Sequence, residues 1–186
     1  MKFNWPNALT WFRIMAIPLV VIVFFLDKPW ARPAAGLLFG LAAITDLLDG
    51  YLARKLGQTS SFGAFLDPVA DKLMVSTALV LLVQADPQIT LAVVAAIIIG
   101  REITVSALRE WMSALGARAH VAVSFLGKWK TTFQMLGIGL MLYRDPVLGQ
   151  SIYRLGEWLL YAAAALTLAS MIDYLRAARP VIDAHD

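Results

Sequence analysis

The chain has 186 residues, of which 60% are hydrophobic and 16% charged, with 16 Lys and Arg against 13 Asp and Glu, a net charge of +3. Disorder is excluded, because disordered chains combine low hydrophobicity with high charge, and the absence of cysteine excludes a disulfide-stapled secreted domain. A mean hydropathy of +0.70 leaves too little polar cover for a water-soluble protein of this length, so the class expected is an integral membrane protein of one compact domain.

Six stretches lack Asp, Glu, Lys, Arg and His: residues 14–26, 33–45, 73–85, 87–100, 131–143 and 158–172. Each is 13 to 15 residues long, whereas a helix needs about 20 residues to cross a hydrocarbon core. Six in succession, separated by charged or Pro- and Gly-bearing breaks, predict an all-α membrane bundle of six transmembrane helices. Each helix then continues beyond its apolar run into charged sequence. The organisation expected is an interfacial lead-in over 1–12, a six-helix bundle over 13–177 and a cytoplasmic tail over 178–186.

The lead-in carries Phe3, Trp5, Trp11 and Phe12 among polar residues and a proline, which suits a segment at headgroup level. A cleaved signal peptide is the rival reading, disfavoured by a thin basic start and by the lack of a small-x-small site after Leu26. Orientation follows from the basic residues. With a cytoplasmic N-terminus and six spans, the outer loops near 27–32, 85–88 and 144–154 hold only Lys28, Arg32, Arg144 and Arg154 of the sixteen. Both termini are therefore expected inside.

Between the second and third spans lie Asp46, Asp49, Asp67 and Asp71. The first two are three residues apart and the second two four apart, so each pair shares a helix face. Gly50, Ala53 and Gly63 fall one turn from these carboxylates, and small residues let a ligand approach the backbone closely. Four acids at membrane depth repel unless neutralised, and Arg54 and Lys72 do not balance them. Hard divalent ions, Mg²⁺ or Mn²⁺, do so through carboxylate oxygens, and with no Cys or nearby His a zinc site is not expected. Two such ions form a clamp suited to in-line displacement at phosphorus. Pro68 is expected to kink or loosen the third helix beside Asp67. The structural alternative is that the aspartates cap helix ends and pair with Arg54, Lys55 and Lys72.

Asp46-x-x-Asp49-Gly50-x-x-Ala53-Arg54, followed by Gly63-x-x-x-Asp67-x-x-x-Asp71, resembles the signature of the CDP-alcohol phosphotransferase family at every one of its eight fixed positions. The resemblance implies a six-helix membrane enzyme, usually a homodimer, with its active site open to the cytoplasm. It implies two Mg²⁺ or Mn²⁺ ions on Asp46, Asp49, Asp67 and Asp71, with Asp71 also the catalytic base. Asp49, Gly50, Ala53, Arg54, Gly63 and Asp67 are implied to line the pocket of a CDP-linked donor.

A second polar set follows: Arg101-Glu102 and Arg109-Glu110 near the end of the fourth span, and Lys128-Trp129-Lys130 at the start of the fifth. Arg101 and Arg109 are eight residues apart, on the same broad side of a helix though not one narrow stripe. Arginine forks and lysine point charges suit phosphate, so Arg101, Arg109, Lys128 and Lys130 are candidates for binding an acceptor that carries its own phosphate. The plainer reading is positive-inside topology with Arg–Glu pairing along one helix. With Pro6-Asn7-Ala8-Leu9-Thr10-Trp11-Phe12-Arg13, this set is similar to the bacterial branch of the family that uses CDP-diacylglycerol as donor and sn-glycerol 3-phosphate as acceptor. By that likeness Asn7, Thr10 and Arg13 help hold the donor's nucleotide end, and the chain resides among the lipids of the bacterial cytoplasmic membrane. The activity implied is phosphatidyl transfer that releases CMP, and no nucleic-acid partner is expected. Another acceptor, phosphatidylglycerol or an inositol phosphate, stays open, as does a small ion-coupled transporter using its intramembrane charges.

Overall fold

A computed structural model of the chain describes residues 5–56, 61–115, 125–147 and 149–182. Among these it forms six helices: α1 (Trp5–Phe24), α2 (Ala31–Leu56), α3 (Ser61–Ala85), α4 (Ile89–Ala114), α5 (Phe125–Tyr143) and α6 (Ile152–Ile182). No strand occurs among the described residues. The only extended pairing there is an isolated antiparallel bridge between Val147 and Gln150, which closes a turn before α6.

Each apolar run falls on its own helix, and the polar extensions alternate. They precede the run in α1, α3 and α5 and follow it in α2 and α4, while α6 extends on both sides. Short connections fold successive helices back on one another, so extensions from all six helices gather at one end of the bundle. Two helix ends fall inside the segments that the sequence sets apart as lead-in and tail. Residues 5–12 are the first turns of α1, continuous with it, and α6 runs on to Ile182, past the expected start of a tail. α3 also passes through Pro68 without interruption.

The helices touch in the order α1–α2–α5–α6–α4–α3 and back to α1, with α3 and α5 meeting across the middle. Inward stripes at helical spacing build the core: Ala16, Val20 and Phe24 on α1 meet Phe39 on α2 and Leu79 on α3 in one buried cluster. A smaller cluster, Val105 and Met112 of α4 with Tyr174 and Ala178 of α6, lies at the polar end. α5 and α6 approach through paired glycines. A Cβ on Gly137 would lie 2.8 Å from the Gly156 carbonyl oxygen, and one on Gly156 would lie 2.7 Å from that of Gly137.

The outer surface is apolar on every helix, with Met15, Leu41, Val80, Val93, Leu136 and Ile172 all exposed. A surface of this kind needs an apolar solvent. Among the described residues, α4 and residues Ile152–Pro180 of α6 are long and apolar enough to cross a membrane by length and composition.

Candidate active site

The first cluster joins three helices. Thr10 and Arg13, three residues apart on one face of α1, point at the carboxylates of α2 and α3. Thr10 Oγ1 donates to Asp67 Oδ1. Arg13 Nη1 lies 2.6 Å from Asp71 Oδ1 and 2.6 Å from Asp46 Oδ1. The Arg13 side chain is fully buried, whereas those of Asp46 and Asp71 are 28% and 41% exposed. A buried guanidinium is tolerable only with such partners. It forms the floor of a site whose carboxylates stay open on the other side. Gly63 is buried one turn before Asp67 on α3.

The structure therefore brings together Asp46, Asp67, Asp71, Thr10 and Arg13, which the sequence presents in three separate segments. Asn7 is placed on α1, Asp49, Gly50, Ala53 and Arg54 on α2, and Lys128 on α5. Their side-chain surroundings lie outside the described residues.

The second cluster joins α4, α5 and α6. Arg101 is buried, donating from Nη2 to Ser170 Oγ at 3.0 Å, with its Nη1 3.4 Å from Glu102 Oε1. Lys130, also buried, pairs with the same Glu102 oxygen. Arg109 Nη2 is 3.4 Å from Tyr174 Oη. The guanidinium carbons of Arg101 and Arg109 lie 5.4 Å and 5.5 Å from the Tyr174 ring centroid, so one aromatic face gathers both arginines. The Arg–Glu pairing expected along α4 is thus present for Arg101 and Glu102, within a larger assembly. Three cations face one carboxylate in the described part of this cluster, leaving a net charge of plus two.

Ser170 and Tyr174 join this cluster, and a reading based on charge did not single them out. The signal was present: Thr167, Ser170 and Tyr174 make a polar stripe on α6, and the first two interrupt an otherwise apolar run.

A groove of about 600 Å³ between α2 and α5 leads away from the first cluster. Asp46 and Thr131 line it near the carboxylates, Gly40 and Gly139 leave it wide, and Tyr143 and Val147 lie toward the opposite end. Thr131, on this groove, and Lys130, in the second cluster, are consecutive residues of α5. One helix turn thus borders both sites.

Residues 3–169 match the CDP-alcohol phosphatidyltransferase family. The chain belongs to this family. A relative from Haemophilus influenzae is 51% identical over 179 residues, covering 96% of this chain and 95% of its own length. Relatives from Escherichia coli strain K12 and Salmonella choleraesuis are each 49% identical over 179 residues, covering 96% of this chain and 97% of their own. All three bear the name CDP-diacylglycerol–glycerol-3-phosphate 3-phosphatidyltransferase. Members of the family are transferases that generally use divalent metal ions, and this chain is a transferase.

The residues present fit such ions chemically. Two carboxylate oxygens from different helices already converge on one cationic nitrogen of Arg13, and oxygen donors suit Mg²⁺ and Mn²⁺. Among the described residues no three Asp, Glu or His groups close on one point; the side-chain surroundings of Asp49 lie outside that description.

Proposed function

We propose that this protein transfers the phosphatidyl group of CDP-diacylglycerol to sn-glycerol 3-phosphate, giving phosphatidylglycerophosphate and CMP. The observation that carries this reading is the meeting, at one turn of α5, of three features. These are a carboxylate cluster, an apolar groove and a partly buried cluster with a net charge of plus two. A nucleotide-activated lipid and a phosphorylated alcohol need these three environments together. The names of the relatives support the same pair of substrates.

Asp46, Asp49, Asp67 and Asp71 are the residues to hold two Mg²⁺ or Mn²⁺ ions, which when bound supply charge neutralisation at the diphosphate. The rest of the chemistry belongs to the chain. Asp71 takes the proton of the acceptor's primary hydroxyl as its oxygen attacks the β-phosphorus. The new P–O bond forms as the bond to CMP breaks, and CMP departs with the bridging oxygen. Arg13 holds the Asp71 and Asp46 carboxylates in place through Nη1, and Thr10 orients Asp67. Asn7, Thr10, Arg13, Gly50, Ala53, Arg54 and Gly63 surround the nucleotide end with Asp49 and Asp67. Arg101, Arg109, Lys128 and Lys130 bind the acceptor's phosphate and hold its hydroxyl near Asp71, so that transfer is governed by positioning and charge.

One acyl chain of the donor lies in the α2–α5 groove. From Asp46 to Gly36, both on its lining, ten helical residues rise about 15 Å, half of a hydrocarbon core of about 30 Å. The groove is thus long enough to guide a chain from the site toward the bilayer midplane.

All six helices cross the bacterial cytoplasmic membrane, with the polar end and both termini facing the cytoplasm. The gathering of polar extensions at one end and the sparse basic residues in the opposite loops support that orientation. The exposed apolar faces meet lipid or, in a homodimer, a second copy.

The test is CMP release from CDP-diacylglycerol by purified protein with Mg²⁺, across a panel of alcohols. Release dependent on sn-glycerol 3-phosphate is expected. Release that instead requires phosphatidylglycerol or an inositol phosphate overturns the acceptor, and no release with any alcohol overturns the activity.

A further inference from the structure

Neutral groups of α6 hold both arginines of α4, alone for Arg109 and beside Glu102 for Arg101. Ser170 Oγ accepts from Arg101 Nη2 at 3.0 Å while donating its own proton to the Thr167 carbonyl at 3.0 Å, which turns a lone pair toward the arginine. Tyr174 Oη accepts from Arg109 Nη2 at 3.4 Å. The Tyr174 ring lies within the range of a cation–π contact to both guanidiniums. Glu102, the carboxylate in this cluster, is shared between Lys130 and Arg101, whose Nη1 it meets at 3.4 Å, so one negative charge faces two of the three cations. Among the described residues no carboxylate pairs with Arg109.

This choice of partners has a chemical consequence. A carboxylate would fix an arginine equally well but would neutralise it, and an incoming anion would then have to displace it. Hydroxyl oxygens and an aromatic face fix direction while leaving the charge unspent. The ring is itself fully constrained, because Tyr174 is buried with Val105, Met112 and Ala178. Ser170 and Tyr174 stand one turn apart on α6, at a spacing that lets one helix face hold two guanidiniums from a neighbouring helix.

We propose that Tyr174, assisted by Ser170, is a positioning residue for the acceptor. It aims Arg101 and Arg109 together at the phosphate monoester of the alcohol substrate while adding no negative charge beyond that of Glu102. This rests on the acceptor reading given above. Tyr174 acts through the arginines and takes no part in bond making, so its effect belongs to acceptor affinity.

The test measures KM for sn-glycerol 3-phosphate, KM for CDP-diacylglycerol and kcat in the full-length protein carrying Tyr174→Leu, Tyr174→Phe or the double change Ser170→Ala with Tyr174→Phe. Tyr174→Leu removes both ring and hydroxyl, and is expected to raise KM for the acceptor tenfold or more. Tyr174→Phe keeps the ring and is expected to rescue most of that loss, leaving about a threefold rise. The double variant removes one oxygen from each residue and is expected to raise it roughly tenfold. KM for the donor stays within twofold throughout, and kcat at saturating acceptor within about threefold. Equal increases in both KM values, or an unchanged acceptor KM in every variant, overturn the proposal. If Tyr174→Leu does not fold, the double variant decides by the same criteria. Wild-type protein separates this proposal from the reading it rests on. If wild type shows no dependence on sn-glycerol 3-phosphate, the acceptor reading itself fails. Dependence in wild type with unmoved KM values in the variants defeats the role of Tyr174 alone.

Discussion

Replacing Asp71 with Asn separates catalysis from architecture, because the structure gives the two different sensitivities. Asn keeps an oxygen where Asp71 Oδ1 accepts from Arg13 Nη1 at 2.6 Å, and Arg13 retains its second partner, Asp46, also at 2.6 Å. The buried guanidinium is therefore never stranded. The Asp71 side chain is 41% exposed, so water screens the charge that is lost, and the stability change expected is below about 1 kcal/mol. For a protein of this length that moves the unfolding midpoint by no more than about 4 °C. An amide cannot take the proton of an attacking hydroxyl, and losing a general base lowers rates by about 10²- to 10⁴-fold, or about 3 to 5 kcal/mol of barrier. The catalytic loss exceeds the structural one severalfold. The assay pairs CMP release in detergent micelles with thermal unfolding of the same preparation. Release within tenfold of wild type refutes the base assignment. A collapse of the unfolding midpoint refutes the account of Arg13 as a cation with a surviving partner.

Other expectations follow from the same geometry. Gly137→Val drives a branched side chain into the Gly156 carbonyl, 2.8 Å from the Cβ position, and should destabilise the α5–α6 contact by about 1 to 3 kcal/mol, read as a lower unfolding midpoint. Gly40→Leu meets no atom within 4 Å of its Cβ and extends into the α2–α5 groove. It should raise KM for CDP-diacylglycerol severalfold while leaving KM for the water-soluble acceptor and the unfolding midpoint near wild type. An unchanged donor KM removes the acyl chain from that groove. Chelation of divalent ions should abolish CMP release, with recovery on adding Mg²⁺ or Mn²⁺, and persistence of activity in excess chelator contradicts the role given to the four aspartates.

Much of the site was legible in one dimension because its spacing is local. Asp46 and Asp49, or Asp67 and Asp71, share a helix face whatever lies around them, since a 3.6-residue turn brings positions three and four apart together. The apolar runs likewise locate the helices, and their shortness indicates that each helix carries polar sequence beyond its run. The boundaries were less legible. The aromatic residues of 5–12 read as an interfacial lead-in and are continuous with α1, and α3 runs on through Pro68, two turns from its start, although a proline there gives up a backbone hydrogen bond of the helix.

The sequence by itself determined the helices, the faces on which the carboxylates and arginines sit, and the family signature that joins them to phosphatidyl transfer. Only the tertiary structure decided which faces meet. Arg13 reaches Asp71 across 58 residues of chain, Arg101 reaches Ser170 across 69, and Arg109 reaches Tyr174 across 65. No periodicity within a helix encodes such contacts, because they depend on the packing order that sets α1 against α2 and α3, and α4 against α6. The physical reason lies in the range of the forces. Backbone geometry fixes a residue's side of its own helix, whereas the partner of a buried charge is set by whichever arrangement leaves no charge alone in an apolar interior.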